Sequence, residues 1–256
     1  MVDNRLSWEQ RAARCGTSLS GVLFRGLSNH ANEAVHAWHA WVVEDVFANS
    51  LALGTRVLDL GCGYGRLSKV LLRSRPDLSV VGQDLSANYC RLFLQNGLPC
   101  VRADAAYLPF ADESFDGVMA VTCLMYAEPK SMPGVLSNLL RVVRPGGIVL
   151  LLDPALELQQ AIARIRGQQA HSPTGGQGFK RSRYIGMIAA SGFTIVASGG
   201  NPALSTALLI PGLARSEGAW SARLLGWCAR KDCRRSGFSA AALHRWVLAR
   251  RGLEGL

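Results

Sequence analysis

Three aspartates, Asp59, Asp84 and Asp104, stand at or near the ends of short apolar runs, "RVLDL", "LSVVGQD" and "LPCVRA" followed by Asp104. Directly after the first come glycines at alternate positions, Gly61, Gly63 and Gly65, in "VLDLGCGYGR". Glycines spaced this way remove every Cβ that would hold a ligand off the backbone, and they permit a sharp turn from strand to helix. The helix that follows offers free N–H groups to an anionic group. Dinucleotides and S-adenosylmethionine both use such a site. The dinucleotide pattern needs its third small residue at position 66. Here that residue is Arg66 and the glycine falls at 65, a D-x-G-x-G-x-G arrangement that alone leaves both ligands open. A carboxylate at Asp84 can accept hydrogen bonds from both hydroxyls of a ribose. Asp104 and the N–H of Ala105 can read an adenine edge.

The elements that must hold these groups are legible from periodicity. Residues 56–60, 78–84, 98–103, 115–121 and 147–153 read as strands, with helices over 65–74, 87–97 and 133–143 between them. Continuous apolar strands alternating with helices imply a parallel sheet covered on both faces. Beyond residue 153 a helix is expected at 155–167, a polar loop at 168–178 and a helix at 184–192. Residues 193–212 read as two strands joined by Gly-Gly-Asn-Pro, a hairpin that would close the sheet with an antiparallel strand. Two helices, 7–14 and 31–48, precede the sheet. A further one is expected at 239–252, with Ser239 as N-cap, Gly252 after its end, and Leu243, Trp246 and Val247 on one stripe.

Of 256 residues, 49% are hydrophobic, which excludes a disordered chain. The polar N-terminus lacks a signal-peptide core, and no apolar run reaches the ~18 residues of a membrane span. Seven cysteines without a C-x-x-C pair suit a reduced, cytoplasmic protein better than a disulfide framework or a zinc site. Charge is uneven. Residues 1–160 hold 14 basic and 15 acidic side chains, whereas residues 161–256 hold 14 basic and only 3 acidic ones. Two jobs are implied.

With "VVGQDLS", "ADAAYLPFADESFD" and "RVVRPGG" following "VLDLGCGYGR" in order, the chain resembles class I S-adenosylmethionine-dependent methyltransferases of the ubiquinone/menaquinone-biosynthesis (UbiE-like) type, over roughly residues 55–155. The resemblance implies a Rossmann-like, doubly wound α/β fold. Its seven-stranded sheet would have the order 3-2-1-4-5-7-6, with strand 7 antiparallel. An N-terminal helical lid (1–50), a core (51–212) and a basic helical extension (213–256) are expected. The cofactor implied is S-adenosyl-L-methionine. Asp59, Gly61, Cys62 and Gly63 would line its methionine end, Asp84 would hold the ribose, Leu85 would pack on the adenine, Asp104 and Ala105 would bind the adenine amine region, and Thr122 would face it.

Similar enzymes fold N-terminal helices over the cofactor, so His36 and His39, three apart on one helix face, are candidate acceptor-side bases; a satisfied helix surface is the alternative. Glu33 lies three residues before His36, but Glu-x-x-His-x-x-His is not a strong ligand spacing, and no metal is expected. Tyr126 stands where relatives often carry His, as a base, a donor or a pocket-wall aromatic. Cys123 lacks a preceding Pro and reads as packing; His171 and His244 read as chemically idle. "VTCLMY" after the fourth strand lacks the Asp/Asn-Pro-Pro-Tyr of adenine or glutamine amino-group methylation. The expected reaction is methyl transfer to a small-molecule or lipid-like acceptor, foremost at oxygen. Carbon methylation of a quinone-like ring, RNA methylation and a catalytically silent S-adenosylmethionine-binding module are the alternatives. The basic tail either docks on the core, lies on an anionic membrane surface, giving a cytoplasmic protein peripheral at the membrane, or holds a phosphate-bearing substrate. Nucleic acid ranks behind these.

Overall fold

A computed structural model describes residues 4–158, 160, 176–233 and 242–253. Seven strands form one sheet in the order β3-β2-β1-β4-β5-β7-β6. They are β1 (Arg56–Leu60), β2 (Ser79–Asp84), β3 (Cys100–Arg102), β4 (Phe115–Val121), β5 (Val143–Pro154), β6 (Phe193–Gly200) and β7 (His244–Arg251). The pairs among β1 to β5 are parallel, and β7 runs antiparallel to both β5 and β6. Side chains alternate across the sheet as strand geometry requires. Ile148, Leu150 and Leu152 of β5 join the core on one face, while Val149 and Leu151 join that on the other. Burial on both faces explains the unbroken apolar runs.

Helices α1 (Asn4–Cys15), α2 (Leu19–Val22) and α3 (Asn29–Trp41) precede the sheet, α3 running on through a π-helical turn to Phe47. Helices α4 (Arg66–Ser74), α5 (Ala87–Leu94) and α6 (Met132–Val142) make the crossovers, and α7 (Arg181–Ala190) leads into β6. Then come α8 (Pro202–Leu208), α9 (Pro211–Ala214) and α10 (Ala219–Asp232).

The expected hairpin at 193–212 is corrected. Only 193–200 is a strand; Pro202 opens α8, whose first free N–H groups, on Ala203 and Leu204, donate to the Asp232 carboxylate at 3.0 and 2.8 Å. The strand that returns through the sheet is β7, in the segment expected to be a tail helix. It lies between two other strands and is buried along nearly its whole length. A strand covered on both faces shows no alternation, so its stripe at 243, 246 and 247 fits either period. Two of its arginines, Arg245 and Arg251, look like part of a solvated helix face but are buried and paired, whereas Arg250 is exposed. Arg245 meets Glu157 at 2.7 Å, and Arg251 meets Glu113 at 3.0 Å and the carbonyls of Leu140 and Val143. The basic segment 213–256 therefore supplies the end of α9, the helix α10 and one core strand among its described residues. Most of the helix expected at 155–167, most of the loop at 168–178 with His171, and the start of 239–252 lie outside the described residues.

Candidate active site

Beyond β1 the chain turns through Gly61 at φ +70° and enters α4 through Gly65 at φ +81°. A Cβ on Gly61 would lie 2.5 Å from Cys123 Sγ and 2.8 Å from its Cβ; one on Gly65 would lie 2.9 Å from Asn96 Nδ2. Both positions need glycine twice over, for conformation and for space. Asp84, at the end of β2, ties the loop down. Its Oδ2 accepts from Gly63 N at 2.8 Å and its Oδ1 from Ser86 N at 2.9 Å. Asp59 accepts from Ser68 Oγ at 2.6 Å.

These acids are buried, and burial disfavours their charge. It pushes the Asp59 carboxyl up to about 7 against the opposing pull of Ser68 and Arg66. It lifts Asp84 to about 6, opposed by the N–H groups of Ser86 and Gly63. Burial likewise brings Arg66 down to about 10. It pushes the Cys62 thiol up to about 12, so Cys62, with its Sγ 3.7 Å from that of Cys100, contributes backbone and packing and no thiolate. Cys123 is held well above the usual thiol range, again by burial, as suits a packing residue.

All nine expected cofactor-binding residues line one cavity of about 780 Å³, and so does Tyr126. Asp104 makes its own turn, accepting from Ala106 N at 2.8 Å. Thr122 sits at φ +54°, a conformation that β-branched residues rarely take, with its N–H donated to Leu152 O at 2.6 Å.

His36 and His39 do not line this cavity; they stand behind Arg66. The guanidinium donates to His36 Nδ1 at 2.7 Å and to His39 Nδ1 at 3.3 Å. A guanidinium only donates, so His39 carries its proton on Nε2 and passes a hydrogen bond to His244 Nδ1, 3.2 Å away. Burial first, and the neighbouring positive charges second, lower His36 to about 4 and His244 to about 3, with His39 also held well below 6.5. The three imidazoles are neutral near pH 7. They join α3, α4 and β7 and set Arg66 in place. Glu33 pairs with His30 at 3.3 Å, and among the described residues no cluster is arranged to hold a metal.

Four residues of the site region went unmarked in the sequence reading. In the sequence Arg66 stands out only as a misfit to the dinucleotide pattern. Asp153 closes β5 as the other acids close theirs, which is the signal that would have found it. Its carboxylate accepts from Met125 N at 3.0 Å and Tyr184 Oη at 2.8 Å, fixing the turn that carries Tyr126. Trp8 and Glu9 belong to α1 and gave no local signal. Trp8 lines the cavity and stands edge-on to Tyr126, with ring centroids 4.8 Å apart.

Glu9 latches α1 to the N-terminus of α5, accepting from Ala87 N at 2.7 Å, Asn88 N at 3.1 Å and Ser86 Oγ at 2.9 Å, and pairing with Arg102 at 3.1 Å. Burial alone would raise this carboxyl; the backbone donors, Ser86 and Arg102 outweigh it and bring the group below 4.5. The latch is therefore complete above that pH and lost as pH falls through the lowered value. Glu9→Ala costs about 1–2 kcal/mol, the worth of a helix cap, and speeds proteolysis within residues 4–15 well before global unfolding. Limited digestion beside a thermal melt checks both.

The cradle fits an adenosyl sulfonium. Side chains are missing where the backbone must approach the ligand, acids stand at three successive strand ends, and the volume lies within the ~300–1,000 Å³ range of small-ligand pockets. Residues 57–147 match the family described as a methyltransferase domain. The chain is 37% identical over 120 residues to a phthiotriol/phenolphthiotriol dimycocerosates methyltransferase of Mycobacterium ulcerans, covering 44% of each. It is 38% identical over 104 residues to a fatty-acid O-methyltransferase of Mycolicibacterium smegmatis, covering 39% of this chain and 37% of the relative. The match thus spans less than half the length of either curated relative. Among solved structures, the geranyl diphosphate C-methyltransferase of Streptomyces coelicolor, with S-adenosyl-L-homocysteine bound, superposes with a TM-score of 0.59 at 14% identity, over 83% of this chain and 80% of that one. At that identity the likeness concerns the fold, a Rossmann-like methyltransferase fold.

Proposed function

We propose that this chain is an S-adenosylmethionine-dependent methyltransferase acting at oxygen on a small, lipid-like acceptor. The observation that carries the reading is the convergence of the glycine loop and the acids of three strand ends on one cavity. When bound, the cofactor supplies an electrophilic methyl group and its own leaving group, so the protein mainly aligns. Asp84 accepts the ribose hydroxyls. Asp104 and Ala105 hold the adenine edge, with Leu85 on its face. Asp59 and Arg66 offer opposite charges to the amino-acid end, which itself carries an ammonium and a carboxylate. Alignment of this kind is worth up to ~7–11 kcal/mol.

The acceptor side is the wall bearing Tyr126, backed by Trp8. An hydroxyl acceptor must lose a proton; Tyr126, a phenol in the cavity wall, orients the acceptor oxygen by hydrogen bonding while that proton passes to solvent. Tyr126→Phe lowers kcat by ~10²-fold, the low end for loss of a side chain positioned for proton transfer, and leaves cofactor affinity unchanged. Single-turnover methyl transfer measured beside calorimetry tests that split. The names of the two mycobacterial relatives, a fatty acid in one and a dimycocerosate lipid in the other, support the acceptor class. Transfer of labelled methyl from S-adenosylmethionine to a panel of hydroxylated lipids, fatty acids and phenols tests the function. Label in an ether or ester product upholds it. Label in a carbon-methylated product, or cofactor binding with no transfer to any member of the panel, overturns the assignment to oxygen or to these acceptors.

A further inference from the structure

Helix α10 is amphipathic in an unusual sense. Ser221, Leu225, Cys228, Ala229 and Asp232 are buried, and the helix packs on α3 and α8. The opposite stripe, at spacings of three and four, reads Trp220, Arg223, Leu224, Trp227, Arg230 and Lys231. It is exposed throughout, with Trp220 at 59%, Leu224 at 40% and Trp227 at 49%. No acid occurs from 219 to 231. Lys231 Nζ lies 4.7 Å over the Trp227 ring. The buried side fixes the roll of the helix, so the indoles face outward in the folded protein.

We propose that this face docks on an anionic lipid bilayer. Two indoles flanking a leucine match the headgroup boundary, where an aromatic body sits among acyl chains while its N–H stays hydrated. The cations beside them complement acidic headgroups, and long basic side chains reach the phosphate layer while their stems stay apolar. On the helix itself the charge is of one sign: Arg223, Arg230 and Lys231 are exposed, with no acid among residues 219–231 to offset them. A convex helix with an apolar ridge gives RNA no groove for its phosphates. The helix cannot cross a bilayer, since among the described residues none is long and apolar enough; it lies on one. The proposal concerns a face separate from the cavity and holds whatever reaction the cavity performs.

Sedimentation of the full chain with phosphatidylcholine vesicles, with and without phosphatidylglycerol, tests it, with tryptophan emission recorded in parallel. The protein is expected to pellet with the anionic vesicles only, with a blue shift, and less in high salt. Trp220→Ala/Trp227→Ala abolishes the blue shift and weakens partitioning by at least ~10-fold. Arg223→Glu/Arg230→Glu/Lys231→Glu weakens it by ~10²-fold, each cation being worth roughly five-fold near such a surface. Both variants keep the thermal melt and the cofactor affinity of the native chain, because the altered side chains point away from the core. Protein that stays in the supernatant, or pellets equally after both changes, overturns the proposal. So does a dimer in size-exclusion chromatography that the tryptophan variant dissociates, or tRNA binding that these variants remove while vesicle binding persists.

Discussion

Asp84→Ala weakens S-adenosylmethionine binding by at least ~10²-fold in titration calorimetry. Each hydrogen bond from a ribose hydroxyl to a carboxylate contributes about 1.5–3 kcal/mol, and a tenfold change is about 1.4 kcal/mol, so two such bonds exceed a hundredfold. The loss is compounded because the same carboxylate orders the loop through Gly63 N and Ser86 N. Asp84→Asn keeps one acceptor oxygen and falls between native and alanine, which distinguishes lost ligand contacts from a collapsed loop. A thermal melt of each variant guards against misfolding. Native affinity in the alanine variant would remove the ribose from this site.

The same carboxylates make binding depend on pH. Burial sets Asp59 at about 7 and Asp84 at about 6, against 3.8 for a free side chain. Both folded values are raised. These groups therefore stabilise the ligand-free fold fully below about pH 4, and that contribution is lost as pH rises through 6 to 7. A cationic ligand prefers the ionised acids, so its affinity rises from pH 5.5 to 8, and binding near pH 6.5 releases protons. Calorimetry in buffers of different ionisation heat reads that release directly; heats that do not change with buffer would contradict it.

What the sequence disclosed and what it hid follow from the range over which each feature is determined. The acids and glycines of β1 and β2 were legible because a parallel sheet gathers its ligand groups at the carboxyl ends of its strands, and local spacing places them there. The two histidines of α3 were misplaced because their orientation depends on His244, 205 residues away from His39. A helix face can be read from spacing; the element it faces cannot. Strand β7 was hidden for a related reason. Arg245 and Arg251 read as solvent-exposed until Glu157, Glu113 and two backbone carbonyls, contributed by other parts of the chain, are brought to them. The acid latch at Glu9 likewise exists only once α1 has met α5.

Gly61→Ala carries the second large effect, and the structure supplies its control. Alanine at φ +70° pays about 1–2 kcal/mol for the left-handed conformation alone. Gly54 has a similar φ of +66°, with nothing within 4 Å of an added Cβ, so Gly54→Ala measures that conformational part by itself. At Gly61 the new methyl also meets Cys123 Sγ at 2.5 Å and Cβ at 2.8 Å. Either β4's end or the loop must move, adding about 1–3 kcal/mol as overpacking does. At about 2–4 °C per kcal/mol for a chain of this size, Gly54→Ala lowers Tm by about 2–8 °C, and Gly61→Ala by roughly twice that. Cys123→Ala removes the sulfur but leaves the Cβ, so the double variant recovers part of the loss, with a coupling of about 1 kcal/mol. Because the displaced backbone is the floor of the cavity, cofactor affinity falls by at least ~10-fold in Gly61→Ala and is untouched in Gly54→Ala. Equal melts and equal affinities for the two variants would mean that the loop does not need its closeness to β4, and that the floor of the site lies elsewhere.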